Sequence, residues 1–317
     1  MGTLVTQHGC PHFGQTAWVE QTSDPYQALS DAELFEEPSA YRHDLFAGQV
    51  ALVTGGAGGI GRAICVLLGR LGAHVVTCGR NQEKLDEVAT SLRALDISCD
   101  TYQMTIRDPD QVEAMFVAIW EQHGRLDVVV NNAGGQFPAP ALDITPKGWA
   151  AVVETNLYGQ WYVMQSAARQ WVANDSPGSI VNIGTIVGRG SVGIPHTAAA
   201  RAGTVNLSRS LALEWAPNKI RINTVAVGVV RSPGLTNYPP EARPSFDHNP
   251  QRRIGDVHDV AQAVAYLASP IASGYVTADE VHVAGGEQIW GEYWAMGKPD
   301  YYRVDAELAP NSPASND

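Results

Sequence analysis

Long apolar runs are absent from this chain. No segment approaches the roughly twenty residues needed to cross a bilayer, and no basic stretch followed by an apolar run stands near the first residue. The last residues, Ser315-Asn316-Asp317, do not form a peroxisomal address. A cytoplasmic location is the resulting expectation. Positive charge is scarce: 21 Lys and Arg stand against 33 Asp and Glu, a formal net charge of -12. A protein that coats nucleic acid or an anionic membrane needs a broad positive field, so both partner classes are excluded and a small molecule is favoured. Cysteine is sparse as well. Cys10, Cys65, Cys78 and Cys99 show no C-x-x-C spacing, which argues against a disulfide framework and leaves no metal site expected. Three of the four fall in apolar segments and read as small core residues.

What is present is ample material for a core. The 317 residues are 44% hydrophobic and 17% charged, the balance of a soluble globular protein. Residues 1–45 carry Pro11, Pro25, Pro38 and the acidic stretch from Glu33 to Glu37 without a sustained period, and read as an arm outside the domain. From there apolar strands alternate with helical patterns. Val50 to Val53 is followed by Ile60, Ile64, Leu67, Leu68 and Leu71 at helical spacing, then by Val75-Val76. A helix with Leu85, Val88 and Leu92 leads to a strand near Thr101 to Met104, and a helix with Val112, Met115, Phe116, Ile119 and Trp120 leads to Val128-Val129-Val130. Thr145-Pro146 reads as a helix start, and Ile180 to Ile183 and Ile222 to Ala226 as further strands. Buried β-branched runs separated by helices predict a parallel sheet in a single doubly wound α/β domain over residues 46–290. Residues 291–317, with Trp294, Tyr301 and Tyr302, read as a tail that packs on the domain or a neighbouring subunit and frays from Ala309.

Between the first strand and first helix lies Thr54-Gly55-Gly56-Ala57-Gly58-Gly59-Ile60-Gly61. Glycines let the backbone approach a pyrophosphate, and the helix N-terminus offers unpaired N–H groups and a positive dipole end. A glycine-rich turn alone is weak, but its place in a βαβ unit strengthens the reading. Gly55, Ala57, Gly58, Gly59, Ile60 and Gly61 are therefore dinucleotide-site candidates. An enzyme selective for NAD places an acid near the end of the second strand, where this chain has Cys78-Gly79-Arg80-Asn81. A guanidinium pairs with a 2′-phosphate, so Arg80, with Asn81 beside it, points to NADP(H).

With Asn131-Asn132-Ala133-Gly134 directly after the fourth strand, the chain resembles the short-chain dehydrogenase/reductase superfamily over about residues 45 to 290. The resemblance implies a Rossmann fold, a homotetramer, and a cofactor site completed by Asn132, Ala133, Gly134, Arg201, Gly228 and Val230. It assigns Asn156 to the catalytic asparagine and Thr185 to the catalytic serine. The tyrosine and lysine of the family's Tyr-x-x-x-Lys are replaced: if Arg201 takes the lysine position, Thr197 takes that of the tyrosine, with His196 beside it. Threonine does not ionise usefully near neutral pH and arginine does not relay a proton, which argues against alcohol oxidation by the usual route. Val227 stands where proline is usual, and Ala278 where glycine is common.

Within the superfamily, Asn132 to Phe137, Lys147-Gly148-Trp149, His196, Ala199 to Gly203 and Leu211 to Trp215 look like peroxisomal trans-2-enoyl-CoA reductases, which also lack the pair. The same stretches, with Tyr41 to Phe46 and Lys298 to Tyr302, look like bacterial citronellol/citronellal dehydrogenases. The first likeness implies hydride transfer to an activated C=C bond of a trans-2-enoyl or dienoyl thioester, in which Thr185 and Asn156 would stabilise charge on the thioester oxygen and His196 could supply a proton. The second implies a terpenoid alcohol or aldehyde, handled through Thr185 and His196. A third reading is a non-redox NADP-binding protein or lyase. Arg231, Arg252 and Arg253 flank a lid expected over 232–250 and could meet the phosphates of coenzyme A. The helix from Ala198 to Trp215, with Val205, Leu211 and Trp215, is expected to pack across a two-fold axis.

Overall fold

A computed structural model describes residues 29–37, 39–238 and 249–290. The chain begins with α1 (Asp31–Glu36), β1 (Val50–Thr54), α2 (Gly59–Arg70), β2 (His74–Gly79), α3 (Gln82–Ala94), β3 (Cys99–Gln103), α4 (Pro109–His123) and β4 (Val128–Asn131). It continues with α5 (Pro146–Val153), a π-helical turn over Glu154–Tyr158, α6 (Gly159–Ala173), β5 (Gly178–Thr185), α7 (Pro195–Trp215) and β6 (Ile220–Val227). The short pair β7 (Val230–Arg231) and β8 (Gly255–Asp256), α8 (Val257–Ala268), α9 (Pro270–Ser273) and β9 (Glu280–Val283) complete the order. Seven strands form one parallel sheet in the order β3-β2-β1-β4-β5-β6-β9. This is the doubly wound Rossmann arrangement, and strand order reverses beside β1, which opens a crevice at the carboxyl ends of β1 and β4.

The inner strands β1, β2, β4, β5 and β6 are buried on both faces, and their alternation sorts the core. Ala51 and Val53 of β1 join Ile64, Leu67, Leu68, Val260 and Val264 from α2 and α8 on one face. Val50 and Leu52 join Phe116, Ile119, Met164 and Trp171 from α4 and α6 on the other. Period-two burial of this kind ties each strand to one register, since a one-residue slip would exchange the two faces. Helix ends obey local chemistry: Asp108 accepts from Asp110 N–H at 3.0 Å at the start of α4, and Gly124 ends it at φ 65°. Thr145 caps α5 through Gly148 N–H at 3.1 Å, with Pro146 in its first turn, as the sequence predicts. Cys65, Cys78 and Cys99 are buried, and burial pushes the first two thiols up to about 12, so they are inert core residues.

Two expectations change. After Leu29 the expected irregular arm is helical instead: Ser30 and Glu33 form a reciprocal capping box, Asp31–Glu36 is a helix, and Leu34 is buried in the α2 cluster. Asp31 binds Arg62 of α2 and Ser91 of α3, so the segment is packed on the domain. A six-residue helix shows too little period to be read from sequence. On α7, Val205 and Leu211 are buried within the chain, and Trp215 is partly buried against the α4–α6 cluster. The apolar residues expected at a two-fold axis therefore face inward, and the face of α7 toward solvent carries Ala199, Ala202, Asn206, Arg209, Ser210 and Leu213. The arm before residue 29 and the tail after 290 lie outside the described residues.

Candidate active site

The crevice is built first by the turn after β1. Gly55 has φ 69° and Gly59 φ 53°, a conformation that favours glycine. Gly58 starts α2 with no side-chain cap, so the first N–H groups of that helix have no side chain on them. Ala57 and Ile60 are half-buried and pack on the core beneath the turn. A Cβ on Gly61 would lie 2.4 Å from both Gly55 O and Asn132 Nδ2, so close packing of turn, helix and β4 requires glycine there. The turn after β4 locks to β1: Asn132 Nδ2 donates to Thr54 O at 2.9 Å, and Ala133 N–H donates to Thr54 Oγ1 at 2.9 Å. The side chain of Asn132 thus holds the frame of the crevice.

At the end of β2, Arg80 is exposed in a cleft shared with Gln103, Thr105, Arg107, Gln111 and Glu154. The carboxylate of Glu154 is engaged by Arg107 at 2.9 Å, and no carboxylate among the described residues pairs with Arg80. Two guanidinium groups therefore stand around the place where an acid would exclude a phosphate. Arg107, on the loop after β3, has no motif spacing that could have marked it in sequence. Asn81 serves as the N-cap of α3, its Oδ1 accepting from Lys84 N–H at 3.0 Å.

Beyond the crevice, α7 brings three of the candidates together. His196, Thr197 and Arg201 are all buried on its first two turns. The Nδ1 of His196 accepts Thr197 N–H at 2.8 Å, which assigns the ring proton to Nε2. That Nε2 is buried and has no hydrogen-bond partner among the described residues. The ring stands edge-on to Phe137 at 4.7 Å, with Trp149 6.4 Å away. Those two aromatics belong to segments that sequence reasoning marked only by family likeness. Arg201 is buried with no carboxylate paired to it among the described residues, and desolvation pulls its pKa down to about 10, so it stays charged at neutral pH. One of its terminal nitrogens has no partner among the described residues, and the other lies against the β4 turn, where a Cβ on Gly134 would sit 2.3 Å away. A buried cation left without a counter-charge costs several kcal/mol, which makes this a candidate place for a group from outside the chain. The residues present fit a dinucleotide, which Arg201 would meet beside the β4 turn.

Two expected donors are otherwise occupied. Asn156 lies on the π-helical turn and clamps the Gly135 peptide, accepting its N–H at 3.1 Å and donating to its carbonyl at 2.8 Å. Its backbone carbonyl accepts from Thr204 Oγ1 at 3.0 Å. Thr185, at the end of β5, donates its hydroxyl to Val227 O at 3.2 Å. Gly228 lies just past β6, where a Cβ would meet Ala284 and Glu287 at 3.0 Å, and Val230 is buried beside it. Of the arginines expected to meet phosphates, Arg253 is paired with Asp259 at 2.8 Å, while Arg231 keeps a buried Nε without a partner among the described residues. The lid is described only in part, since residues 239–248 lie outside the described residues. Ser232 and Pro233 stand over Gly59, and Gln136 donates to the Tyr238 hydroxyl, joining the lid's first residues to the β4 turn.

Known proteins match this architecture. A family model described as Enoyl-(Acyl carrier protein) reductase covers residues 55–288. The chain is 34% identical over 268 residues to a peroxisomal 2,4-dienoyl-CoA reductase [(3E)-enoyl-CoA-producing] of Danio rerio, covering 81% of this chain and 88% of that protein. It is also 34% identical over 241 residues to the 3-oxoacyl-[acyl-carrier-protein] reductase FabG of Thermotoga maritima, covering 75% and 97%. Among solved structures, the citronellol catabolism dehydrogenase AtuB of Pseudomonas aeruginosa PAO1 superposes with a TM-score of 0.71 at 35% identity, covering 79% of this chain and 99% of that one. The chain belongs to the short-chain dehydrogenase/reductase family of oxidoreductases.

Proposed function

We propose that this protein is an NADP(H)-dependent reductase of an activated carbon–carbon double bond, with a trans-2-enoyl or 2,4-dienoyl thioester of coenzyme A as its substrate. The observation that carries the reading is a pair of buried donors on α7, Arg201 Nη1 and His196 Nε2, that have no partner among the described residues. Reducing a carbonyl or oxidising an alcohol needs a group that exchanges a proton with the reacting oxygen, and Thr197 and Arg201 cannot do so near neutral pH. Adding hydride to the β-carbon of an enoyl thioester instead builds charge on the thioester oxygen, fixed N–H donors in a dry site stabilise that charge, and the enolate then takes its proton at the α-carbon from water or from His196. Bound NADPH supplies the hydride. Arg201 holds the cofactor's ribose beside the Gly134 turn, Arg80 and Arg107 receive its 2′-phosphate, and His196 offers its Nε2–H to the substrate oxygen. Asn156 acts as a positioning residue through Gly135. Thr185 assists only by turning its hydroxyl from Val227 O.

The likeness to AtuB supports a second reading, a terpenoid dehydrogenase in which His196 and Thr185 handle the alcohol oxygen. Cofactor oxidation by the purified protein decides between them, with NADPH and crotonyl-CoA or a 2,4-dienoyl-CoA in one arm and citronellal in the other. Turnover of the thioester is expected. Turnover of citronellal alone would replace this reading with the second, and no turnover in either arm would favour a non-redox role. The same reading carries a homotetramer working in the cytoplasm, which sedimentation at micromolar concentration and cell fractionation test.

A further inference from the structure

At the far end of the sheet from α7, three side chains from three elements converge. His74 opens β2, Asp100 is the second residue of β3, and His123 closes α4. Asp100 pairs in register with Val76, two residues on from His74, so both side chains emerge on the sheet face that α4 covers. His74 Nε2 lies 2.7 Å and His123 Nε2 2.9 Å from the same oxygen, Asp100 Oδ2. The two rings stand 4.5 Å apart, and the three polar atoms all lie within 4.8 Å of one another. Gln122 donates to that oxygen at 3.0 Å and accepts from the Tyr102 hydroxyl at 3.4 Å, which supports the carboxylate from outside. The three side chains keep 28%, 27% and 14% of their surface for His74, Asp100 and His123, so an ion and a water can reach them.

We propose that His74, Asp100 and His123 form a binding site for a divalent transition-metal ion of the zinc class, with water as the fourth ligand. Two imidazole nitrogens and one carboxylate oxygen are the donor set such an ion prefers. Bonds of about 2.0–2.2 Å in a tetrahedron set neighbouring ligand atoms about 3.3 Å apart. Each imidazole thus has to retreat from Asp100 Oδ2 by about half an ångström, a small change for side chains that keep a partly open edge. On binding, both rings carry their proton on Nδ1, so that the Nε2 lone pairs face the ion. The ion clips the starts of β2 and β3 to the end of α4, remote from the crevice, and acts on stability rather than on turnover. The separations of 26 and 23 residues match no metal-binding motif, which is why the sequence led to the expectation of no metal.

The test uses tag-free protein stripped with EDTA and desalted, titrated with Zn2+ by calorimetry and with Co2+ by visible absorption. Nine histidines in the chain can take up zinc weakly, so each measurement is a difference from His74→Gln and His123→Gln, which retain a donor for Asp100. The wild type is expected to bind one equivalent more than either variant, to melt at higher temperature with Zn2+, and to give the visible bands of four-coordinate Co2+. Equal stoichiometry and equal melting response in wild type and variants would overturn the proposal. Should neither variant fold, the Co2+ spectrum of the wild type decides alone: four-coordinate imidazole bands support the site, and their absence removes it. Reductase activity is expected to be the same in folded variants and wild type.

Discussion

Arg221 and Arg201 are both drawn out of water, and the protein treats them in opposite ways. At the back of the sheet, Arg221 donates to the carbonyls of Ser273, Val276 and Ala268 and to the hydroxyls of Ser179 and Ser273, which ties β5 and β6 to the α8–α9 corner. At the crevice, Arg201 has an unpartnered nitrogen and no carboxylate beside it among the described residues. Desolvation lowers the pKa of both. The difference teaches where stability is traded for function: a cation with both terminal nitrogens engaged ties the fold together, and one left open among the described residues is a candidate to hold a ligand.

Substituting the two arginines is the strongest way to break that comparison. Arg201→Met should lower kcat/KM by about a hundredfold or more, because it removes fixed charge at the reacting end. Its melting temperature should stay level or rise, since a buried unpaired charge is replaced by an apolar chain. Arg221→Met should do the reverse, costing about 2–4 kcal/mol by leaving buried carbonyls without donors. Calorimetric melts and steady-state kinetics on both variants check this. An Arg201→Met protein that melts early and turns over normally would erase the distinction.

Next in size are His196 and Thr185. His196→Gln and Thr185→Val should each lower kcat by about 10- to 1000-fold while leaving the NADPH dissociation constant unchanged, as expected for bonds made mainly in the transition state. Thr197→Ala should matter less, because its buried hydroxyl is 3.4 Å from His196 Nδ1 and is a poor acid. Single-turnover rates with a saturating thioester separate these effects from binding. Loss of activity in Thr197→Ala equal to that in His196→Gln would move the chemistry to the threonine.

The crevice can be sharpened at its other end. A Cβ on Gly79 would meet Leu85 at 3.6 Å, an ordinary contact, so Gly79→Asp is sterically tolerated. The added carboxylate should weaken NADPH binding about tenfold by repulsion with the 2′-phosphate and narrow the preference over NADH. Cofactor fluorescence titrations measure both constants, and an unchanged ratio would remove Arg80 and Arg107 from the phosphate site.

Away from the crevice, the paired side of the molecule offers a control. Burial raises the Asp31 carboxyl, but hydrogen bonds and charge from Arg62 and Ser91 outweigh it and hold its pKa below the ordinary 3.8. Its stabilisation is complete above that value and is lost as pH falls through the folded-state pKa. Asp31→Asn should cost about 1–2 kcal/mol at pH 7 and flatten the acid limb of the stability curve below pH 4, read by urea unfolding across pH. The smallest effect is at Ala278, held at φ 63°. Ala278→Gly should stabilise by about 0.5–1 kcal/mol by relieving left-handed strain, and a drop in melting temperature would show that the methyl group packs usefully.

Much of the molecule was legible in the residues alone. Alternating strands and helices, the Gly55–Gly61 turn, the Asn132–Gly134 turn, the Thr145 cap and the inert core cysteines are all set by neighbours in sequence, because period, capping and turn geometry are local. The absence of a Tyr-x-x-x-Lys motif was legible too, with Thr197 and Arg201 in its place if Arg201 takes the lysine position. The six-residue helix at Asp31–Glu36 escaped notice because it is too short to show a period and is held by Arg62 and Ser91 from other helices. What the sequence determined by itself, then, was the scaffold and which residue types stand at the reacting end. Only tertiary packing decided which of those groups are free. It turned the amide of Asn156 onto Gly135, set the Thr185 hydroxyl on Val227, left Arg201 and His196 with open donors, and gathered His74, Asp100 and His123 from three elements. The physical reason is that a hydrogen bond or a metal site depends on distances of a few ångströms between atoms many residues apart, and only the folded chain sets those distances.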